Sequence, residues 1–424
     1  MIWEQGSTTA ILTEDAIRTM LAATCEGLPV DKKRVLVIIP DGTRTAPIPL
    51  FFRLLYEYLG PRVDCLDYII ALGTHPPMPE EAIARLVGVS EQERAEKYPK
   101  THIYNHQWAE PTALHTVGII TRVEAARITD GLLEAEVPVR LNKLITEYDQ
   151  AIICGPVFPH EVAGFSGGAK YLFPGIAGAE IIDFTHWLGA LVTSMYTIGI
   201  KDTPVRRVIH RAAEFISTPL LCMALVLQGS DLHGLYIGPY AEAWSRAADL
   251  SAQLNIVAVE KPFQHVLAMP APMYDDLWTA AKAMYKTEPA IADGGEVIIY
   301  APHITEISYT HGRLLDLVGY HVRDYFLKQG TRFADVPGSI RAHSVHVKGQ
   351  GSYDPVTKQE TPRIQVTLAT GIPEERCRRV NLGYADYRAI DPQEWQNREE
   401  EGILFLPHAG ERLYRANSLF LDKQ

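Results

Sequence analysis

Arg34-Val-Leu-Val-Ile-Ile39 runs directly into Pro40-Asp-Gly-Thr-Arg44. An uninterrupted aliphatic, β-branched run of this length reads as a strand buried on both faces. The Pro-Asp-Gly turn ends it, so Asp41 and Arg44 fall just past a strand end. Residues 49–59 then carry apolar side chains at helical spacing, and residues 63–72 repeat the strand pattern before Gly73-Thr-His75-Pro76-Pro77. Pro79-Glu80-Glu81 opens another helix, with proline and acids in its first turn. Residues 149–154 make a third strand, followed by Gly155-Pro-Val-Phe-Pro-His160 and a glycine-rich loop. Strands alternating with helices predict an α/β fold, with a mostly parallel sheet flanked by helices and ligands at the carboxyl ends of its strands. Asp41, Arg44, His75 and His160 all lie just beyond such ends.

Further along, residues 255–260 and 265–269 read as strands, and Pro270-Ala-Pro272 marks a boundary. Residues 275–285 predict a helix and 296–301 the first strand of a second α/β unit. Residues 345–347 and 364–368 would continue it as strands around a Gly/Ser/Asp-rich loop at 349–355. The expected organisation is an N-terminal α/β domain over residues 1–272, which carries the candidate catalytic residues, and a C-terminal α/β domain over 273–390. A tail, 391–424, is expected to pack back on the N-terminal domain. Ligands are expected in the cleft between the domains.

The 424 residues exceed what a single core usually supports, and 40 Lys+Arg against 51 Asp+Glu leave a net charge of −11. That acidic balance argues against a nucleic-acid partner, which selects for a basic patch. Cys25, Cys65, Cys154, Cys222 and Cys377 are scattered and odd in number, as expected of buried small hydrophobes in a reducing compartment. The first fifteen residues lack a basic region leading into an apolar run. The most apolar stretch, 187–200, is broken by Gly189, Thr193, Ser194, Thr197 and Gly199 and falls short of the ~20 residues that span a bilayer. A cytoplasmic protein with no membrane partner is the expectation.

The densest chemistry is His160-Glu-Val-Ala-Gly164-Phe-Ser-Gly167-Gly168-Ala-Lys170, with His186 sixteen residues beyond the lysine. Gly164, Gly167 and Gly168 permit positive φ and close backbone approach, which suits an anion. The phosphate-loop pattern G-x-x-x-x-G-K-[ST] is not met, because Ala169 precedes the lysine and Tyr171 follows it. A plain turn with a solvated Lys170 is the competing reading, and His186 alone reads as readily as a packed helix histidine. Two loop histidines, His75 and His160, suit an acid/base pair that exchanges roles, as racemisation requires. Arg44 would grip a carboxylate bidentately and leave the chiral carbon between the two bases. Trp278 and Lys282 share one helical face, so Lys282 could add a second cation, or snorkel at the surface. His303 and His311 lie past a strand end without an assigned partner. No H-E-x-x-H and no paired cysteines are present.

Taken in order, Pro40-Asp-Gly-Thr-Arg44, Gly73-Thr-His75, Gly155-Pro-Val-Phe-Pro-His160, Gly164-Phe-Ser-Gly-Gly-Ala-Lys170 and Asp183-Phe-Thr-His186 resemble the nickel-pincer lactate racemase family over essentially the whole chain. The resemblance implies a nickel-pincer nucleotide cofactor: a pyridinium mononucleotide whose two thioacid arms hold nickel. It implies that Lys170 carries the covalent link to one arm and that His186 fills the remaining nickel position. It further implies that His75 and His160 are the acid/base histidines. Arg44 and Lys282 would lie near substrate and cofactor, with Trp278 and Thr279 beside them and Asp41 orienting Arg44 or cofactor groups. In the implied reaction one histidine takes the hydroxyl proton of a 2-hydroxy acid while C2 passes a hydride to the cofactor. Return of hydride to either face of the planar 2-oxo acid inverts the centre. Gly164, Gly167 and Gly168 would cradle the nucleotide, and maturation would need cofactor-building enzymes.

Two departures bear on substrate. Pro76 stands where the family often has Arg, and Thr279 aligns with a Gln of the lactate enzyme. Lactate, a longer or dicarboxylic acid and a sugar acid all stay open as substrates. The alternatives are a Schiff-base or dehydratase enzyme using Lys170, or a nucleotide- or small-molecule-binding protein without turnover.

Overall fold

The computed structural model describes residues 2–423 and divides them into two compact units. The first comprises Met1–Phe158, Phe165–Thr185 and Pro204–Leu254; the second comprises Pro159–Gly164, His186–Thr203 and Asn255–Gln424. The chain therefore passes between the units several times, and the segments bearing His160 and His186 cluster with the second.

Among the described residues, the first unit is built on a seven-stranded sheet ordered Trp3–Gly6, Asp231–Gly238, Leu220–Gln228, Gln150–Pro156, Arg34–Ile39, Cys65–Ile70 and Ile103–Asn105. The strands from Leu220–Gln228 to Ile103–Asn105 pair in parallel, and the Asp231–Gly238 hairpin strand and Trp3–Gly6 add an antiparallel edge. Val35, Leu36, Val37 and Ile38 are fully buried, as a central strand covered on both faces requires. The Ile48–Leu59 helix follows, burying Phe51, Phe52, Leu54, Leu55 and Leu59 in the same core as Val35, Val37 and Ile39. Fully burying each such side chain contributes roughly 1.5–3 kcal/mol, which is why this helix and strand form together.

The second unit is built on a five-stranded all-parallel sheet ordered Gly383–Tyr384, Gln365–Thr370, Ile291–Ala301, Phe263–Pro270 and Ile403–Ala409. The C-terminal tail, expected on the N-terminal domain, instead supplies the Ile403–Ala409 edge strand here. Leu413–Ala416 also pairs with Ile256–Val259 of the same unit. Backbone hydrogen bonds from Phe263–Pro270 leave one free edge that this tail satisfies. Residues 345–347, read above as a strand, are the last turns of the Gly338–Lys348 helix. There Ile340, Ala342, His343, Val345 and Val347 are all buried, and packing on several sides overrides the β preference of two valines. The stretch predicted as one helix at 275–285 is two short ones, Leu277–Ala280 and Lys282–Tyr285. No helix of the described residues is long and apolar enough to cross a membrane.

Candidate active site

In the first unit the site grows from the carboxyl end of Arg34–Ile39. Asp41 is 6% exposed and both its oxygens are engaged. Oδ1 accepts Thr43 N–H at 3.1 Å and the Thr43 hydroxyl at 2.6 Å, and Oδ2 lies 2.5 Å from His75 Nδ1. Burial works to raise Asp41, but the His75 ring, the Arg44 guanidinium and the Thr43 hydroxyl outweigh it and hold the carboxyl below the usual carboxylate range. A carboxylate there makes His75 Nδ1 the proton-bearing nitrogen, so Nε2 presents its lone pair. Arg44 sits on the same turn, with Nη1 3.2 Å from the Thr43 hydroxyl and its guanidinium 5.5 Å from the Phe158 ring centroid.

The loop bearing His75 is tied to the turn bearing Lys170 by Gly73 N–H donating to Gly175 O at 2.9 Å. Lys170 lies on the Gly168–Tyr171 turn and is half-buried. Close packing explains the two glycines before it. A Cβ at Gly167, φ 79°, would overlap Val157, and one at Gly168, φ 57°, would overlap Trp244. Gly168 N–H is directed at the Cys222 thiol. Arg206, 2% exposed, donates to the carbonyls of Gly167 and Phe165 and stacks 4.1 Å from the Trp244 ring, so a buried cation braces the loop from behind.

In the second unit His160 is 6% exposed and its Nδ1 accepts Val162 N–H at 3.1 Å. That backbone donor leaves Nε2 to carry the proton of the neutral ring, the opposite tautomer to His75. Gly164, φ 78°, follows, and a Cβ there would collide with the Ile200 carbonyl. Gly164→Ala is therefore expected to destabilise the protein by about 2–4 kcal/mol, from left-handed strain plus backbone overlap. Urea unfolding measures this, and a change below about 0.5 kcal/mol would contradict the close contact.

His186 is half-buried in the Ala179–Val192 helix, next to Trp187, which packs edge-on to Phe326 and under Arg341. Asp276 caps the Leu277–Ala280 helix through Thr279 N–H at 3.0 Å and the Thr279 hydroxyl at 2.9 Å. The same carboxylate accepts Tyr309 N–H. Trp278 lies between His343, stacked at 4.0 Å, and His311 at 4.5 Å. Lys282 is 8% exposed with Nζ 4.3 Å from the Tyr274 ring centroid, so it does not snorkel freely. His303 Nε2 bonds the Tyr274 carbonyl at 3.0 Å, a loop-stitching role.

Asp41, Arg44, His75 and Lys170 thus share one unit, and His160, His186, Trp278, Thr279 and Lys282 the other. Sequence reasoning missed His343 and His346. Burial pushes both down, the latter to about 4, and His186 is among the groups that lower each of them further. Their i, i+3 spacing was the available signal, hidden when 345–347 was read as a strand. Among the described residues no group of three or more His, Cys, Asp or Glu side chains could hold a metal ion.

A family model described as the lactate racemase N-terminal domain matches residues 7–198. Lactate racemase of Thermoanaerobacterium thermosaccharolyticum is 24% identical over 281 residues, 65% of this chain and 61% of that protein. Lactate racemase of Lactiplantibacillus plantarum is 23% identical over 282 residues, 65% of this chain and 62% of that protein. The matched region thus spans about three fifths of each of these relatives. A crystal structure of a Thermotoga maritima protein, 32% identical, superposes with a TM-score of 0.89 over 97% of this chain and 100% of that one. The T. thermosaccharolyticum lactate racemase apoprotein shares the fold, with a TM-score of 0.69 at 18% identity over 96% of this chain and 94% of that one.

Proposed function

Because the chain belongs to the lactate racemase family, we propose that it is an isomerase that inverts C2 of a 2-hydroxy acid, with His75 and His160 as its acid/base pair. The observation that carries this reading is the pair of oriented imidazoles, His75 set by the Asp41 carboxylate and His160 by Val162 N–H and Glu161. Asp41 leaves His75 Nε2 ready to accept the substrate hydroxyl proton, and His160 returns a proton from Nε2 as an imidazolium, whose Nδ1 lies 3.5 Å from Glu161 Oε2. After one turnover the two rings have exchanged protonation states, which is what a reaction with equivalent forward and reverse directions needs. Arg44, held on the same turn as Asp41, grips the carboxylate and fixes C2 relative to His75. Lys282, Trp278 and Thr279 form the second group of substrate contacts.

The residues present fit a nickel-pincer nucleotide. One imidazole, His186, and one amine, Lys170, suit a metal that carries its remaining donors on an organic ligand. Lys170 would hold that group covalently and His186 would complete the nickel coordination, while the braced Gly167–Gly168 backbone keeps Lys170 in place. When bound, the group supplies the hydride acceptor and donor that the side chains themselves lack. Maturation then depends on cofactor-building enzymes.

The test is chiral chromatography of a panel of 2-hydroxy acids, from lactate to dicarboxylic and sugar acids, incubated with protein matured alongside those enzymes. Epimerisation at C2 of at least one acid is expected. A nickel-loaded protein inert on the whole panel would overturn the reading.

A further inference from the structure

Tyr171 directly follows Lys170 on the Gly168–Tyr171 turn and is 9% exposed. Its hydroxyl lies against Gly155, where any Cβ would overlap both the phenol oxygen and the ring carbon that bears it. Gly155 stands at the carboxyl end of Gln150–Pro156, the strand paired directly with Arg34–Ile39. The phenol is thereby brought to the same sheet edge as Asp41 and Arg44. Both reach it electrostatically: after burial, which dominates and raises it, the Arg44 guanidinium lowers and the Asp41 carboxylate raises its proton affinity. The net push is well above the ordinary phenol value, so at neutral pH the hydroxyl stays a donor.

No hydrogen bond joins the phenol to Asp41, whose partners are Thr43 on Oδ1 and His75 on Oδ2. No hydrogen bond joins the hydroxyl to another described residue, and its oxygen is not among the fully buried atoms left without a partner, so it stays open to solvent or a ligand. An open donor of this kind can take a ligand oxygen without giving up a hydrogen bond inside the protein. Beside a guanidinium the fitting ligand is an oxyanion, to which Arg44 offers two parallel donors and Tyr171 a third, uncharged one.

We propose that Tyr171 is a substrate-binding residue whose hydroxyl donates a hydrogen bond to the substrate carboxylate gripped by Arg44. This rests on the 2-hydroxy-acid reading above. The neutral donor orients the carboxylate about the Arg44 axis without adding charge, and it stands one residue from the lysine proposed to anchor the cofactor. Gly155 is part of the device, because no other residue leaves room for the phenol.

The decisive variant is Tyr171→Phe in the full chain, which keeps the ring and removes only the donor. Calorimetric titration of unloaded protein with oxalate is expected to show affinity reduced about tenfold, and titration with inorganic phosphate no change. In nickel-loaded protein KM for the 2-hydroxy acid is expected to rise about tenfold with kcat within about threefold of wild type, the signature of binding shared by ground and transition states. Nickel content and thermal midpoint should match the wild type.

Equal oxalate affinity in wild type and variant, or no oxalate binding by the wild type, overturns the assignment. Selective loss of phosphate binding does so as well, because it moves the phenol to the nucleotide. A wild type that binds oxalate but inverts no 2-hydroxy acid defeats the racemase reading instead, and the oxalate constants still decide Tyr171.

Discussion

Lys170→Ala is expected to bring turnover to background, a loss of at least about four orders of magnitude, and to erase any covalent mass increment on the chain after maturation. The argument starts from the turn. Lys170 N–H donates to Gly167 O, Gly167 and Gly168 pack without Cβ atoms against Val157 and Trp244, and Arg206 braces the loop carbonyls. So much structure behind one half-buried amine suits a residue that must hold a large group in one position. Lys170→Arg separates covalent from electrostatic roles, because it keeps the charge but cannot form an amide-type link. It is expected to be as inactive as the alanine variant. Intact mass with a nickel assay reads all of this directly. His75→Ala and His160→Ala should keep nickel while losing turnover, whereas His186→Ala should weaken nickel retention. A mass adduct that survives in Lys170→Ala would sink the anchoring role.

The second large effect is expected from Asp41→Asn, about 10³-fold in kcat. Thr43 donates twice to Oδ1, so the amide oxygen of an asparagine is held on that side. Its NH₂ then faces His75 Nδ1, which must become an acceptor, and the ring proton moves to Nε2. The proposed base is then disabled with its geometry intact. Substrate binding through Arg44 should change little, so the loss belongs in kcat rather than KM.

The same substitution has a stability signature with a defined sign. The folded Asp41 carboxyl sits below its unfolded value of ~3.9, so between the two values the unfolded chain binds more protons and stability rises with pH. That contribution is fully present above about pH 5 and is lost as pH falls through the folded value. Wild type should therefore lose stability more steeply than Asp41→Asn between about pH 5 and 2. Parallel urea-midpoint curves for the two proteins would show that Asp41 is not held as a buried carboxylate.

Legibility followed periodicity. The first sheet was readable at Arg34–Ile39, Cys65–Ile70 and Gln150–Pro156 because strands buried on both faces are continuous aliphatic runs. The hairpin Leu220–Gln228 and Asp231–Gly238 went unread, although it carries Met223, Leu225, Leu235 and Ile237 into the same core. Residues 345–347 misled because two valines outvoted the helical spacing around them. Asp41, Arg44 and His75 stand out in the sequence as candidates through their place after strand ends. Tyr171 was passed over because its meaning depends on Gly155, sixteen residues away.

Local chemistry in the chain was enough for the α/β class, the family, and the candidate arginine, histidines and lysine, because each depends on residue type and its position after a short apolar run. What needed three dimensions was pairing. Which histidine nitrogen carries a proton depends on a carboxylate 34 residues from His75 and on an amide two residues from His160. Hydrogen bonds of a few ångströms between distant positions leave no periodic trace in a sequence. Only folding reveals that Phe405 and its neighbours complete the second sheet, that Gly155 makes room for a phenol, and that the chain returns to the second unit at Pro159–Gly164 and His186–Thr203.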